Sequence, residues 1–246
     1  MEVGIGMKNL DIHEFMERCD HQKNLDSLFE DFGKVIAKRG FHSYIYTGLP
    51  AVGDDVEPYV VKNAWSPQWT EQFRERRYFA DDPVSRWSLS HSKPFTWRTA
   101  REETKATART KEIQQEASRY GLSDGIVFPM FDPNSWQSVI SLATDDKGGL
   151  AKDQIGDLYL LSSYCAMTAS ALIRRAEQAE HRLTDREKEI LQWVSRGKTD
   201  SEIAIILRMS AGSVTQRLIR IRQILDVTNR PQTVSQAIRL GLINAD

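Results

Sequence analysis

Residues 210–225 read SAGSVTQRLIRIRQIL, and they predict a helix with two unlike faces. Val214, Leu218, Ile221 and Leu225 recur at the three- and four-residue spacing that places side chains on one side of a helix. The opposite side carries arginine and amide groups. A solvated surface helix can have this pattern, so the neighbouring elements decide what the polar face is for.

Three further helices are predicted around this one. A capping box of Thr184 and Glu187 opens the first, and the others span about residues 200–208 and 231–240. A tight turn that contains Gly212 joins the second of them to the quoted helix. Two helices joined in this way form a helix-turn-helix, whose second helix enters the major groove of DNA.

The polar face of the quoted helix supplies candidate base readers. Glutamine pairs with adenine, arginine pairs with guanine, and isoleucine contacts the thymine methyl group. The residues predicted to face the groove are Thr215, Gln216, Arg217, Ile219 and Arg220. The residues predicted to contact phosphates are Lys198, Thr199, Ser213 and Arg230. On charge and turn alone, a helical bundle with a solvated basic face is an equal alternative.

The charge of the chain is unevenly distributed. The 246 residues are 40% hydrophobic and 27% charged, as in ordinary globular proteins. Residues 182–246 carry 11 Lys or Arg against 7 Asp or Glu, a net charge of +4, whereas the rest of the chain carries −5. A basic C-terminal segment fits a polyanionic partner.

The sequence disfavours several classes of protein. Cys19 and Cys165 lie far apart without metal-like neighbours, so neither a disulfide scaffold nor a zinc site is expected. No signal peptide opens the chain, and we expect a cytoplasmic protein without a membrane partner. The longest uncharged run, residues 158–173, is short for a membrane span. It predicts a helix that is covered by the core and by a second copy of the chain.

The first two-thirds of the chain mix helices with strands. Helices are predicted within residues 10–39, 66–79, 101–120 and about 151–179, and one begins at Asp82-Pro83. Strands are predicted at residues 41–50, 59–65, 93–97, 125–131 and 138–144. The expected fold class is α+β: an N-terminal α/β/α sandwich with a mostly antiparallel sheet, and a C-terminal all-α four-helix domain. The expected limits are 1–175 and 183–246, with a linker at 176–182.

Residues 183–243 resemble the LuxR-type helix-turn-helix domain. The matching segments are LTDREKEILQWVSRGKTDSEIAIIL, SVTQRL, VTNR and GLI, at fixed spacing. The resemblance implies a transcriptional regulator that binds a palindromic promoter site in double-stranded DNA as a homodimer, with RNA polymerase as a further partner. Two positions depart from the family pattern: Arg217 stands where histidine is common, and Ile219 is unusual on the groove side. The bases that are read therefore do not follow from the resemblance.

Residues 30–175 resemble the autoinducer-binding domain of quorum-sensing LuxR-type regulators. Trp69 stands 13 residues before Asp82, which Pro83 follows, and Trp97 stands 15 residues after Asp82. Gly125 precedes the next strand. The resemblance implies an N-acyl-homoserine lactone as ligand and no cofactor.

The resemblance also implies a role for individual side chains. The N–H of Trp69 donates to the lactone carbonyl, and the carboxylate of Asp82 accepts from the amide N–H. Ser141 donates to the amide carbonyl, and Trp97 packs against the lactone ring. The residues expected around the acyl tail are Phe73, Trp65 and Tyr46.

Each of these residues also suits a role that needs no ligand. Asp82 is a good helix N-cap, Trp69 and Trp97 suit a core, and Ser141 suits a strand. Two positions depart from the family, because Phe73 and Trp65 stand where tyrosine is common. The departures predict a bulkier, drier pocket for a short, branched or aromatic acyl group.

Two other functions remain as alternatives. An enzyme such as a lactone hydrolase is not expected, because the chain lacks a G-x-S-x-G elbow, an H-E-x-x-H motif and a phosphate-binding glycine loop, and its histidines are scattered. A ligand-independent LuxR-type DNA-binding regulator is the stronger alternative, because Phe73 removes one hydrogen bond to a ligand.

Overall fold

The structure, a computed structural model, describes residues 3–49, 56–131, 137–146, 152–180 and 183–244. The chain divides into two units, of which the first reaches Ser170 and the second begins at Ala171. The division falls inside one long helix, so residues 176–180 of the predicted linker are helical and 181–182 lie outside the described residues. The predicted domain limits remain predictions.

The N-terminal unit surrounds one antiparallel sheet with helices. The helices are α1 (Val3–Cys19), α2 (Leu25–Ala37), α3 (Pro67–Glu75), α4 (Pro83–Ser88), α5 (Trp97–Glu102), α6 (Ala108–Arg119) and α7 (Lys152–Glu180). The strands are β1 (Ser43–Gly48), β2 (Val60–Asn63), β3 (Phe95–Thr96), β4 (Asp124–Met130) and β5 (Ser138–Thr144). Their order is β2-β1-β5-β4-β3, and every pair is antiparallel. The predicted fold class is confirmed, while the turn predicted at 132–137 lies almost wholly outside the described residues.

Successive side chains of each strand point to opposite faces of the sheet, and the two faces pack against different helices. On one face, the hydroxyl of Tyr44 donates to the backbone oxygen of Phe29 in α2 at 2.8 Å, and the ring of Phe128 lies 5.9 Å from that of Tyr159 in α7. The other face packs against the segment from α3 to α6, through a cluster that includes Val127. The space between this second face and α3–α6 is where a ligand can be enclosed.

The single helix predicted over residues 101–120 is wrong. The chain instead forms α5 and α6, with a break between them. Thr96 caps α5 by accepting from the backbone N–H of Thr99 at 3.1 Å. Thr107 and Thr110 form a capping box that starts α6. Thr107 and Thr110 satisfy two backbone N–H groups that a continuous helix would have paired internally, so a second helix starts at Ala108.

The C-terminal unit is helical, as predicted. It contains α8 (Asp185–Ser195), α9 (Asp200–Ile206), α10 (Ala211–Ile224) and α11 (Arg230–Arg239), and α8 begins with the expected Thr184–Glu187 capping box. The apolar residues predicted to anchor α10 are each at most 5% exposed: Val214, Leu218, Ile221 and Leu225. The polar face of α10 is thereby turned outward.

The long helix α7 leaves apolar side chains on its surface. Leu160 and Met167, seven residues apart, are 41% and 65% exposed. Residues seven apart share one side of a helix, so these two form an apolar stripe. Within the described ranges, no helix combines the length and the hydropathy that crossing a bilayer requires.

Candidate ligand site and nucleic-acid interface

A cavity of about 540 Å³ lies between the sheet and helices α3–α6. This volume suits a small organic ligand. Six of the eight residues predicted to contact a ligand line the cavity: Trp65, Trp69, Phe73, Asp82, Trp97 and Ser141. Tyr46 and Gly125 are not among the lining residues.

Four aromatic rings form one wall of the cavity. Trp65 lies edge-on to Trp97 with ring centroids 6.5 Å apart, and it lies 6.3 Å from Phe73. The ring of Phe73 is in turn 5.6 Å from that of Trp69. Aliphatic side chains such as Ile45, Val84 and Ile113 also line the cavity, together with polar ones. The wall therefore offers a largely apolar surface to whatever fills the space.

Two indole N–H groups in this wall lack a hydrogen-bond partner. Nε1 of Trp65 and Nε1 of Trp69 are both buried, and neither donates to any group within the described residues. Leaving a buried donor unpaired costs roughly 1–3 kcal/mol. A ligand that brings acceptor oxygens to these groups would recover that free energy.

Asp82 combines a structural role with a place in the cavity wall. Its Oδ2 accepts hydrogen bonds from N and Oγ of Ser85 at 2.9 and 2.8 Å, so the predicted N-cap is confirmed. Both of these bonds fall on Oδ2, which leaves Oδ1 for a further donor. Burial raises the pKa of Asp82, and the Ser85 hydrogen bonds and the positive charge of Arg101 oppose that rise.

Trp97 is held in place by polar and steric contacts. Its Nε1 donates to Oγ of Ser141 at 2.9 Å, so the hydroxyl hydrogen of Ser141 remains free to donate elsewhere. Gly125 lies against the same ring, because a Cβ at this position would stand 2.6 Å from Cε2 of Trp97. Gly125 therefore makes room for Trp97 and does not itself line the cavity.

The expected contact of Tyr46 with an acyl tail is wrong. Tyr46 lies on the opposite face of the sheet, with its ring 6.2 Å from that of Phe29. Its strand neighbours Ile45 and Thr47 line the cavity instead. Successive side chains of a strand point to opposite faces, so an error of one residue moves the contact across the sheet.

Sequence reasoning missed Arg101 as a cavity residue. This arginine lies in the last turn of α5, which the sequence placed within a longer polar helix. Its partners are distant along the chain, since Nη1 donates to the backbone oxygen of Ser123 at 2.9 Å. No local pattern of residues signals such a contact.

On α10, three side chains are available to a partner. Gln216 is exposed, Ile219 is 45% exposed, and Arg217 is half-buried. Neither Gln216 nor Arg217 makes a hydrogen bond or ion pair within the described part of the chain. Ser213 is also exposed, in the first turn of α10.

Several of the predicted DNA-contacting residues are held by contacts inside the C-terminal unit. Asp200 accepts from Oγ1 of Thr215 at 2.8 Å and from Nη1 of Arg230 at 2.7 Å. Arg230 also donates to the backbone oxygen of Lys198, whose Nζ donates to Glu202 at 3.1 Å. The remaining predicted phosphate contact, Thr199, is the N-cap of α9. These side chains would have to exchange partners to reach a phosphate.

Arg220 pairs with a buried carboxylate, while its own side chain is 55% exposed. Its Nη1 pairs with Oε1 of Glu187, whose side chain is 0% exposed. Glu187 also accepts from N and Oγ1 of Thr184 at 2.8 and 2.7 Å. Burial alone would raise the pKa of Glu187, but the Thr184 hydrogen bonds and the Arg220 charge lower it. The guanidinium of Arg220 thus balances an interior charge, and its contact with a base stays a prediction.

Comparisons with known proteins match both units. The model of the autoinducer binding domain matches residues 24–169, and the model of bacterial regulatory proteins of the luxR family matches residues 181–237. The quorum sensing-dependent transcriptional regulator RpaR of Rhodopseudomonas palustris is 32% identical over 239 residues, which cover 97% of this chain and 96% of RpaR. The activator LuxR of Aliivibrio fischeri is 25% identical and covers 98% of both chains.

Solved structures agree on the fold. Escherichia coli SdiA has a TM-score of 0.71 at 18% identity, covering 95% of this chain and 98% of SdiA. SdiA in complex with octanoyl-rac-glycerol has a TM-score of 0.72 at 19% identity, with 94% of each chain covered. A cavity in one unit and a helix-turn-helix in the other agree with both family matches. The chain therefore belongs to the LuxR family of quorum-sensing transcriptional regulators, with an autoinducer-binding domain followed by a helix-turn-helix DNA-binding domain.

Proposed function

We propose that the protein binds an N-acyl-homoserine lactone in its cavity and, as a homodimer, a palindromic promoter element. The observation that carries the proposal is a pair of buried indole N–H groups, those of Trp65 and Trp69, without a partner among the described residues, in the same cavity as the carboxylate of Asp82 and the hydroxyl of Ser141. It acts by binding, without catalysing a reaction. Its DNA target and RNA polymerase place its action in the cytoplasm.

The polar atoms of such a lactone complement this set. The N–H of Trp69 donates to the lactone carbonyl, and Oδ1 of Asp82 accepts from the amide N–H. The hydroxyl of Ser141 donates to the amide carbonyl, while Trp97 covers the lactone ring. The contact with Trp69 pairs an indole N–H that has no other partner among the described residues, which favours the bound state.

The acyl group is proposed to be short, branched or aromatic. Trp65 and Phe73 fill space with rings, and the phenyl ring of Phe73 has no hydroxyl to offer an oxo group. Aromatic side chains prefer edge-to-face or offset contact with other rings and with branched aliphatic groups. A clear preference for long, 3-oxo-substituted chains would contradict this part of the proposal.

DNA recognition is proposed for the polar face of α10. The residues proposed to face the groove and contact bases are Thr215, Gln216, Arg217, Ile219 and Arg220. The residues proposed to contact phosphates are Lys198, Thr199, Ser213 and Arg230. The apolar stripe of Leu160 and Met167 on α7 is proposed to pair two chains, so that two copies of α10 read the half-sites of a palindrome.

The direct test of the proposal is stabilisation of the full chain by ligand. We expect a preferred lactone, at a hundredfold excess over its Kd, to add ~2.7 kcal/mol to the free energy of unfolding and to raise the melting temperature by about 5–10 °C. The panel should vary the acyl group and include octanoyl glycerol, an ester without an amide N–H. Light scattering on the same samples gives the oligomeric state. If no lactone changes the melting temperature or the soluble yield, the chain is a ligand-independent regulator.

Variants of the two head-group contacts are expected to lose affinity for the lactone. Asp82→Asn keeps the N-cap, since asparagine caps as well as aspartate, but it replaces a charged acceptor and should weaken binding about 10- to 100-fold. Trp69→Phe removes one donor and should weaken binding about tenfold. Calorimetric titration of the full chain measures both losses of affinity for the lactone. Each loss should be larger than any change in the variant's affinity for promoter DNA.

Matched controls are available beside each position. Asp81→Asn changes an exposed carboxylate that pairs with Arg109 at 3.3 Å and does not line the cavity. Trp87→Phe changes a tryptophan that stacks on His91 outside the cavity wall. Both controls should bind lactone as the wild type does. If the control and test variants lose equal affinity for the lactone, Asp82 and Trp69 are not specific ligand contacts.

A further inference from the structure

The cavity reaches the protein surface at the end of α3. Arg74 and Glu71 of α3 line it, as does Glu57 in a short 3₁₀ helix directly before β2. The side chains of these three residues are 47–62% exposed, whereas Trp69, which lines the same cavity, is buried. The cavity therefore extends from the interior to this exposed edge.

Two ion pairs lie at this edge. Nη2 of Arg74 pairs with Oε1 of Glu71 at 2.6 Å, and Nη1 of Arg74 pairs with Oε2 of Glu57 at 3.4 Å. The first pair lies within α3, while the second joins α3 to the 3₁₀ helix. We call these three residues the charged rim. It connects two segments of the cavity wall at the place where both are exposed.

The register of the sheet shows how far the charged rim lies from the proposed head-group contacts. Ser141, which is proposed to contact the amide carbonyl, pairs with Ile45 of β1. Two residues further along β1, Thr47 pairs with Val139 of β5 and with Val60 of β2. All five line the cavity, and two strand residues span about 7 Å. The cavity thus runs along β1 from Ser141 towards the start of β2, which the 3₁₀ helix of the rim precedes.

Helix α3 leads in the same direction. Asn63, at the end of β2, pairs with Ile45, and its Nδ2 donates to Oγ1 of Thr70 in α3 at 2.9 Å. This part of α3 therefore lies level with the head-group contacts. Arg74 follows one helical turn later, about 6 Å along the axis, where it meets Glu57. Both walls of the cavity lead from the proposed head-group contacts to the charged rim.

Trp97, which is proposed to cover the lactone ring, lies on the other side of Ser141. A Cβ on Gly125 would stand 2.6 Å from the Trp97 ring, and Gly125 pairs with Ala143 of β5. Val139, on the rim side, lies in the opposite direction from Ser141 along the same strand. The lactone ring and the acyl group are attached to opposite ends of the amide. A lactone ring held at Trp97 therefore directs the acyl group towards the charged rim.

The charged rim changes what an added methylene contributes to binding. A methylene that leaves water for an apolar cavity raises the affinity about fourfold. A chain long enough to reach the rim meets hydrated charges, so its further methylenes leave water only by stripping water from those charges. Exposed ion pairs are weak, so the rim is not a rigid stop. It acts by ending the apolar surface along which affinity grows with chain length.

We propose that the charged rim of Arg74, Glu71 and Glu57 sets the upper length of the acyl group that the cavity accepts. The inference rests on the proposed function, because it concerns the ligand of the same cavity. It adds a limit on length to the preference for a short, branched or aromatic group that was proposed from Trp65 and Phe73. It also assigns that limit to side chains outside the aromatic wall.

The test measures how affinity depends on chain length in four full-length proteins: the wild type, Arg74→Met, Arg74→Lys and Arg76→Met. Methionine is unbranched and uncharged, whereas lysine keeps the charge. Arg76 is the matched control, because it follows α3 directly, pairs with Glu112 at 2.9 Å and does not line the cavity.

The probes are straight-chain N-acyl-homoserine lactones from butanoyl to dodecanoyl, titrated by calorimetry. If a branched or aromatic lactone stabilises the wild type more, the series is built on that lactone by adding methylenes at the end remote from the head group.

The wild type should gain about fourfold in affinity per methylene until the chain reaches the charged rim, and nothing beyond that length. In Arg74→Met the gain should continue over one or two further methylenes, so the ratio of long-chain to short-chain affinity should rise by about 4- to 16-fold. Arg74→Lys and Arg76→Met should keep the wild-type ratio. A general loss of stability lowers both affinities alike, so it leaves this ratio unchanged.

A wild-type ratio in Arg74→Met would overturn the inference while leaving the proposed function intact, since lactones would still bind. A wild-type affinity that keeps rising to the longest chain would overturn it as well. If the wild type binds no lactone, both the inference and the proposed function fail. Should Arg74→Met not fold, Glu57→Met removes a charge from the other segment of the rim, and the same ratio decides.

Discussion

Replacing Gly125 with alanine is expected to abolish folding of the N-terminal unit. The added Cβ would stand 2.3 Å from the backbone oxygen of Leu142 and 2.6 and 2.8 Å from two carbons of the Trp97 ring. Gly125 pairs with Ala143 inside the β4–β5 ladder, so the strand has no freedom to move aside. Overpacking a core usually costs about 1–3 kcal/mol, and a clash with backbone exceeds that range. The total stability of a domain is only about 5–15 kcal/mol.

The measurement is soluble yield together with thermal unfolding by circular dichroism. Gly156→Ala is the matched control, because nothing lies within 4 Å of a Cβ at that position in α7. Alanine inside a helix is favoured over glycine by roughly 0.5–1 kcal/mol, so the control should be as stable as the wild type or more so. If Gly125→Ala melts within a few degrees of the control, the prediction is wrong, because the Trp97 ring must then have moved to make room for the added Cβ.

Arg220→Ala is expected to destabilise the C-terminal unit by about 3 kcal/mol. It leaves the carboxylate of Glu187, which is 0% exposed, with Thr184 as its remaining hydrogen-bond partner. The pKa of Glu187 is lowered in the folded protein, so its stabilising effect is present at neutral pH and is lost as the pH falls. The gap in stability between wild type and Arg220→Ala should therefore narrow in acid. Unfolding followed from pH 7 to about pH 4 measures it.

A double variant separates stability from base reading. Glu187→Gln removes the buried charge, and glutamine still closes a capping box with Thr184. Adding it to Arg220→Ala should restore the stability but not the affinity for promoter DNA, because the proposed base contact of Arg220 is still missing. Gln216→Ala provides the contrast, since this exposed side chain has no partner within the described residues and its loss should weaken DNA binding without changing stability. If the double variant is stable and binds DNA as the wild type does, Arg220 does not read a base.

The sequence predicts best those features that local patterns encode. The anchors of α10, the capping box at Thr184 and the edge strand β3 follow from spacing and capping chemistry, and the structure confirms them. The cavity residues Trp69, Asp82 and Trp97 came from a family resemblance instead, and the structure places all three in one wall. Their roles toward a ligand remain proposals.

What the sequence could not predict depends on contacts between distant residues. Tyr46 and Ile45 are both apolar members of β1, and only the packing of α2 decides which of them faces the cavity. The pairing of Arg220 with the buried Glu187, 33 residues away, has no local signal in the sequence. Arg101 is likewise placed by the backbone oxygen of Ser123, 22 residues away.

Asp200 shows how the C-terminal unit limits indiscriminate attraction to nucleic acid. Its carboxylate accepts hydrogen bonds from Thr215 and Arg230, as a phosphate group would. A cation that already has a protein counter-ion releases few salt ions when it meets a phosphate, so it adds little to binding at random sites. Such internal neutralisation lets a regulator dissociate quickly from non-specific DNA sites. Gln216 and Arg217, which are proposed to contact bases, carry no such internal partner within the described residues.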